Sequence, residues 1–395
     1  MALQAIRGAK LHTMEAGIPD MEDGVILWED GKILALGPAN ELKIPADAAV
    51  IDARGLVITP GLIDAHTHLG ILEEIYEMEG DDLNESWDSA ITPEMRAIDG
   101  INPDDPGFRD ALSGGVTTVM VTPGSANVIG GSVCVMKTAG PVLEGMIIDG
   151  EAGVKAAFGE NPKRAFGDQK KTPGSRMGIA ALLRQALVTA QDYEKKEKKS
   201  LAEGDIHERD LGLDLLVRLL HREIPLRAHA HRADDLYTAV RIAKEFNLRL
   251  VLEHGTEGAK LIPLLREAEI PVVVGPGFSN RAKVEMTQAG WETVKALADA
   301  GVLISLTTDH SCTPIQYLSL CGAMAVRYGL TWTQAMEAIT INAARILGLA
   351  HRVGSLAPGK DCDFAVFDGD PFHYRTRCLS TFVDGKKVWC LEGRL

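Results

Sequence analysis

The chain lacks the marks of a nucleic-acid, membrane or secreted protein. Lysine and arginine (41) are outnumbered by aspartate and glutamate (55), for a formal net charge of −14 and a pI near 5.3. That balance excludes a basic nucleic-acid surface and offers no cationic stripe to anionic lipid. No apolar run approaches the roughly 18 residues of a membrane helix. The opening MALQAIRGAKLHT has no apolar core of the kind a signal peptide carries. The six cysteines (Cys134, Cys312, Cys321, Cys362, Cys378, Cys390) are scattered without a CxxC pair. In a chain this long they read as reduced thiols, and the expected compartment is the cytoplasm.

What is present is a large apolar fraction, 46% of 395 residues. Residues 1–58 read as short strands cut by Gly, Asp and Pro (GVILWED, KILALG, AVIDARGLVI). Residues 350–395 return to that texture (CDFAVFDGD, STFVDGKKVWC). Each end carries a DG turn signal. Neither is long enough for a sheet core alone, so both are expected to build one small β-sandwich domain. Between them, over 59–349, apolar strands alternate with amphipathic helices, for example IPLRAHA before DDLYTAVRIAKEF and LRLVLEH before GAKLIPLLREA. Such alternation implies parallel βα units, and the length suits a distorted (β/α)8 TIM barrel within the α/β class. Strands are expected to end near His68, Val121, Lys137, Phe158, His231, His254, Val274 and Thr308.

Three insertions interrupt the pattern. Residues 71–107 are long, acidic and carry Trp87, a lid over the barrel mouth or a solvated excursion. Residues 159–177 are basic and turn-rich. The run EKKEKKS at 194–200 reads as a solvated helix end.

The chemistry lies at the strand ends. His66 and His68, in GLIDAHTHLG, are two residues apart on a strand and so face the same way. His229, His254 and Asp309 close later strands. In a barrel those ends meet at one mouth. Imidazole nitrogen and carboxylate oxygen are ligands for zinc and similar divalent ions, and a catalytic site keeps one position open for water. His66, His68 and Asp309 would hold one ion, and His229 and His254 a second. A bridging anion would join them; a carbamate on Lys155, in AGVKAAFG, is placed for it, with Glu160 as the alternative. The same ligands accept Zn, Mn, Co or Fe, and one or two ions per chain.

GLIDAHTHLG, the His229 and His254 strand ends, TTDH (Thr307 to His310) and VGSLAPGKDCDFAVFDGDP resemble the amidohydrolase superfamily, in particular its imidazolonepropionase-like and Xaa-Pro dipeptidase-like branch. The resemblance spans essentially the whole chain. It implies a split β domain beside a distorted barrel. It also implies His66, His68 and Asp309 on one metal, His229 and His254 on the other, and Lys155 as a carbamylated bridge. The context VKAAFGENPKR departs from the family pattern.

His231, on the same face as His229, is read as a catalytic group that contacts substrate or relays protons. His310 reads as structural as readily as catalytic. Cys312 has no base beside it for a thiol nucleophile. His12, His207, His221, His351 and His373 lie off the mouth. Lys163, Arg164, Arg176, Arg232 and Arg281 fall in loops after strands and could fork onto a substrate carboxylate. The acidic loop 71–88 would suit a cationic group, and Gly275–Lys283 could offer backbone contacts. Glu160, Arg232 and Arg281 are thus the candidate substrate contacts.

The expected activity is metal-dependent hydrolysis of a C–N bond in an amide, cyclic amide or dipeptide-like small molecule. A metal-activated hydroxide attacks, and Asp309 passes its proton to the leaving nitrogen. The rivals are a mononuclear aminohydrolase releasing ammonia and a non-catalytic scaffold. A homo-oligomer is left open.

Overall fold

The computed structural model describes residues 3–75, 77–85 and 88–392; Trp87 lies outside them. Two eight-stranded sheets organise the chain. The first comes from both termini. It contains β1 (Gln4–Leu11), β2 (Met21–Glu29), β3 (Lys32–Pro38), β4 (Ala49–Asp52) and β5 (Val57–Pro60). The second holds β6 (Leu62–Thr67), β7 (Val116–Val121), β8 (Ile129–Lys137), β9 (Ile147–Ala157), β10 (Leu226–Ala230), β11 (Leu250–His254), β12 (Val272–Val274) and β13 (Ile304–Leu306). The chain then returns to the first with β14 (Phe364–Phe367), β15 (Cys378–Val383) and β16 (Lys386–Cys390).

The terminal sheet runs β16-β15-β14-β5-β1-β2-β3, with β4 also paired to β1. Its β2–β3 and β15–β16 hairpins meet where the Trp28 indole N–H donates to Gly385 O at 3.0 Å. Trp28, Phe364 and Phe382 pack together with Ile6, Ile26, Ile58 and Val366. The expected sandwich is therefore one curled sheet whose halves share a core. Each such side chain contributes about 1.5–3 kcal/mol by leaving water.

The second sheet runs in sequence order from β6 to β13. Its end strands are stitched by side chains. The Thr308 N–H and Oγ1–H both donate to Asp64 Oδ2, at 2.9 and 2.6 Å, and Thr307 Oγ1–H donates to His66 O at 2.6 Å. These bonds nearly close the sheet into the expected barrel. Seven of the eight expected strand ends fall at its mouth. The exception is Lys137, because β8 runs antiparallel to both β7 and β9. Only seven residues separate β7 from β8, whereas a parallel crossover needs about a dozen or more. Helices cover the outside through spaced apolar faces, as with Leu236, Ala239, Val240 and Ala243 of Ala233–Glu245. At the opposite end, Ala343, Ala344 and Ile346 plug the barrel against Ile63, Ala65, Val251 and Val273.

The described residues of segment 71–107 lie against the mouth. Ile91 and Arg96 bridge to Ile129 and Ser132 of β8. Gly131 permits this approach, since a Cβ there would sit 2.2 Å from Met95 O. The run 194–200 is the end of a helix, Arg176–Glu203, capped by left-handed Gly204.

The reversal of β8 carries Lys137 to the terminal sheet. There its buried Nζ pairs with Asp363, with Asp361 at 2.8 Å and with Asp384 at 3.3 Å. Removing one partner of a buried charge network leaves the rest uncompensated. Lys137→Met is expected to lower stability by about 3–5 kcal/mol, measured by urea unfolding. A midpoint equal to wild type would show that the network does not anchor the sheet.

Candidate metal centre

Five histidines converge at the mouth, each held from behind at Nδ1. His66 Nδ1 lies 2.8 Å from Glu253 Oε2. His68 Nδ1 meets Thr122 O at 2.7 Å, and His254 Nδ1 meets Gly275 O at 2.8 Å. His229 Nδ1 is 3.0 Å from Ser125 Oγ, and His231 Nδ1 is 2.7 Å from Thr256 Oγ1. A carbonyl or carboxylate partner keeps the proton on Nδ1 and leaves the Nε2 lone pair facing inward, the arrangement found behind metal-ligating histidines.

Their ligand atoms fall into two groups, His66 with His68 and Asp309, and His229 with His231 and His254, each within 4.8 Å. Asp309 Oδ1 is 3.4 Å from both His66 Nε2 and His68 Nε2. Tetrahedral zinc with bonds of about 2.0–2.1 Å separates its ligands by roughly 3.3 Å. His66 Nε2, His229 Nε2 and Asp309 Oδ1 are buried with no hydrogen-bond partner among the described residues. Buried polar atoms are otherwise almost always satisfied, so these atoms fit a divalent cation.

The electrostatics agree. Burial holds His229 and His231 well below the usual imidazole range and His254 at about 3, so these rings are neutral. Burial and Lys155 push His66 down, but the carboxylates of Glu253 and Asp309 outweigh them and leave it raised. Burial would raise Asp309, yet His66, His68 and His254 hold it well below the carboxylate range. That pocket calls for positive charge. Two aiming residues have left-handed backbones, His254 at φ 70° and Asp309 at φ 52°, a strain of order 1 kcal/mol or more.

Lys155 of β9 points into the barrel beside this cluster. It is fully buried, and its Nζ has no hydrogen-bond partner among the described residues. Burial lowers its pKa to about 8. Glu160 lies elsewhere. Its amide donates to Glu285 Oε2 at 2.8 Å, and its own Oε2 accepts from the Glu285 amide at 3.2 Å. With Lys163, Arg164, Arg176 and Arg232 it lines a neighbouring cavity. Arg232 is paired with Asp234 at 2.9 Å. Arg281 lines an adjoining cavity beside His254 and Trp291. The cavity at the ligand cluster, about 260 Å³, is lined by His68, His229, His231, His254 and Asp309, with Glu85 and Lys283 at its charged rim. Leu72 and Leu83 of the acidic insertion also line it, so that segment borders the site. His310 is buried, its Nδ1 accepting from Ile315 N–H at 3.3 Å.

Residues 57–388 match the model of the amidohydrolase family. The chain belongs to that family. It is a hydrolase of C–N bonds, in a family whose members generally bind a divalent metal. The chain is 30% identical over 393 residues to an amidohydrolase of Hapsidospora irregularis, across 92% of this chain and 39% of that protein, so it spans well under half of that relative. It is 29% identical over 384 residues to an imidazolonepropionase of Sphingopyxis alaskensis, across 92% and 91% of the two. The solved structure of an amidohydrolase from Thermotoga maritima MSB8 overlays it with a TM-score of 0.94 at 39% identity, covering 98% of this chain and 100% of that one. Among the described residues no helix is long and apolar enough to cross a membrane.

The sequence reading missed Glu253 and Glu285. Glu253, at 0% exposure, sits between His66 and Arg227, whose Nε is 2.6 Å from its Oε1. Its signal was a charge inside the apolar run LVLEH. Glu285 lies in a single 3₁₀ turn, Val284–Met286, too short to carry a pattern that would betray it. Glu253→Gln, which removes the charge behind His66, is expected to weaken divalent-ion affinity about 10–100-fold with the fold retained. Competition against a chromogenic chelator measures it; unchanged affinity would deny Glu253 that role.

Proposed function

We propose that the chain is a binuclear metal-dependent hydrolase that opens the C–N bond of an amide, cyclic amide or dipeptide-like small molecule. The observation that carries the reading is the convergence of two ligand triads on one cavity. Two triads favour it over the mononuclear deaminase. His66, His68 and Asp309 would hold one ion, and His229 and His254 the other. Bound there, zinc or a similar ion makes water nucleophilic near neutral pH and polarises a carbonyl.

The chain's own groups supply the rest. Asp309 stands at the cavity wall with its carboxylate ionised, so it can take a proton from the attacking water and return it to the leaving nitrogen. Lys155 is the candidate bridge. Its lowered pKa leaves a share of neutral amine near pH 7, the form that adds carbon dioxide to give a carbamate anion. Glu85 and Lys283 offer opposite charges at the rim, which suits a substrate bearing both an amine and a carboxylate. The cavity admits only a small substrate.

The test begins with elemental analysis of the purified protein. A hydrolysis screen of N-acyl amino acids, Xaa-Pro dipeptides, lactams, hydantoins and imidazolones follows. Asp309→Asn is expected to cut turnover about 10²–10⁴-fold on whichever substrate responds. Undiminished turnover would remove Asp309 from the mechanism. Lys155→Ala with full metal content and activity would remove the bridge.

A further inference from the structure

We infer that His231 and Glu285 are ligands, completing a four-ligand position for the second ion with His229 and His254. The inference rests on reading the histidine cluster as a metal centre, and it does not require Lys155.

His231 has the geometry of its neighbours. Its Nδ1 is engaged by the Thr256 hydroxyl at 2.7 Å, and its ring is 4.8 Å from those of His229 and His254, centroid to centroid. Its ligand atom falls in the same group as theirs. A relay histidine would need a hydrogen-bonded partner at Nε2, whereas the Glu285 oxygen stands 3.8 Å from it, beyond hydrogen-bonding reach.

Glu285 is 2% exposed, and its Oε1 has no hydrogen-bond partner among the described residues. This oxygen lies 3.7 Å from His229 Nε2 and 3.8 Å from His231 Nε2. Those separations are too long for hydrogen bonds and wider than the roughly 3.3 Å between ligands of tetrahedral zinc, so the oxygen stands at the edge of the three-histidine group, whose ligand atoms lie within 4.8 Å of one another without it. Lys283 Nζ, at 4.0 Å, is also beyond bonding reach. The other oxygen, Oε2, is fixed by the Glu160 amide, and Glu160 accepts the Glu285 amide in return. The carboxylate is thus aimed from behind, as the imidazoles are. Glu160 acts one step removed, as the residue that positions Glu285.

Four protein ligands close a metal position, while three leave one open. An open position would then lie with His66, His68 and Asp309, beside the Asp309 carboxylate.

The test counts ions. Chelator-stripped protein is titrated with Zn²⁺, bound metal is measured by elemental analysis, and the fold is checked by circular dichroism. Wild type is expected to hold two ions. Glu285→Gln and His231→Gln are each expected to weaken one of them at least tenfold and keep the other. His68→Gln is expected to weaken the opposite ion. Two ions at wild-type affinity in both Glu285→Gln and His231→Gln would overturn the inference and leave the proposed function standing. So would a wild type with one ion that neither substitution affects. No bound metal in wild type would instead defeat the metal reading itself. If the variants fold poorly, X-ray absorption of the wild-type zinc form decides: five imidazoles shared by two ions are expected, and four would exclude His231.

Discussion

A buried carboxylate on the barrel axis sets the terms for the rest of the structure. Glu253 has no access to water, and an isolated ionised carboxylate in that environment would be prohibitively costly. Arg227 from the neighbouring strand compensates it, and that guanidinium also donates to Ala65 O at 2.7 Å. The remaining Glu253 oxygen orients His66. An arginine, a glutamate and a histidine from three strands thereby form one line of charge that ends at the candidate metal position. The strand pairing makes this possible, since Arg227 pairs with Val251 and with Lys155 in register. A slip of one residue would turn each of these side chains to the helix side.

The reversed strand β8 joins the two ends of the barrel in one stroke. Its short connection from β7 stays at the mouth and supplies Ser125, which holds His229. Its other end delivers Lys137 to the three aspartates of the terminal sheet. The chemistry and the anchoring of the small sheet therefore share an element. At the opposite seam, Asp64 and the threonines preceding Asp309 nearly close the barrel with side-chain bonds, which brings Asp309 to His66 and His68. The geometry of the first triad is thus a consequence of closure.

The parts of the site legible in the sequence were those tied to strand periodicity. His66, His68, His229 and His254 follow apolar runs, and Asp309 ends one, so both their type and their place could be read. The direction of β8 was less legible because its glycine-rich sequence has the texture of any buried strand; the seven-residue connection was the available signal. Glu285 could not be read, because a single 3₁₀ turn has no sustained period and its position depends on a contact with Glu160 more than a hundred residues away. Glu160, offered by the sequence as the alternative to Lys155 and as a substrate contact, pairs with Glu285 through reciprocal amide bonds.

Two buried lysines on adjacent strands show how surroundings decide chemistry. Lys137 and Lys155 are both nearly inaccessible. Burial lowers the pKa of either, but the aspartates around Lys137 outweigh it and hold that ammonium above its usual value. Lys155 has no carboxylate in hydrogen-bonding contact, and burial prevails. The first is a charge locked into place, and the second an amine free to lose its proton. A neutral amine with an unused lone pair among histidines is a poor structural element, since it leaves a polar atom unsatisfied. Its cost is understandable if the nitrogen is converted into an anion, because in the proposed binuclear centre a carbamate would supply the negative charge that two cations would call for.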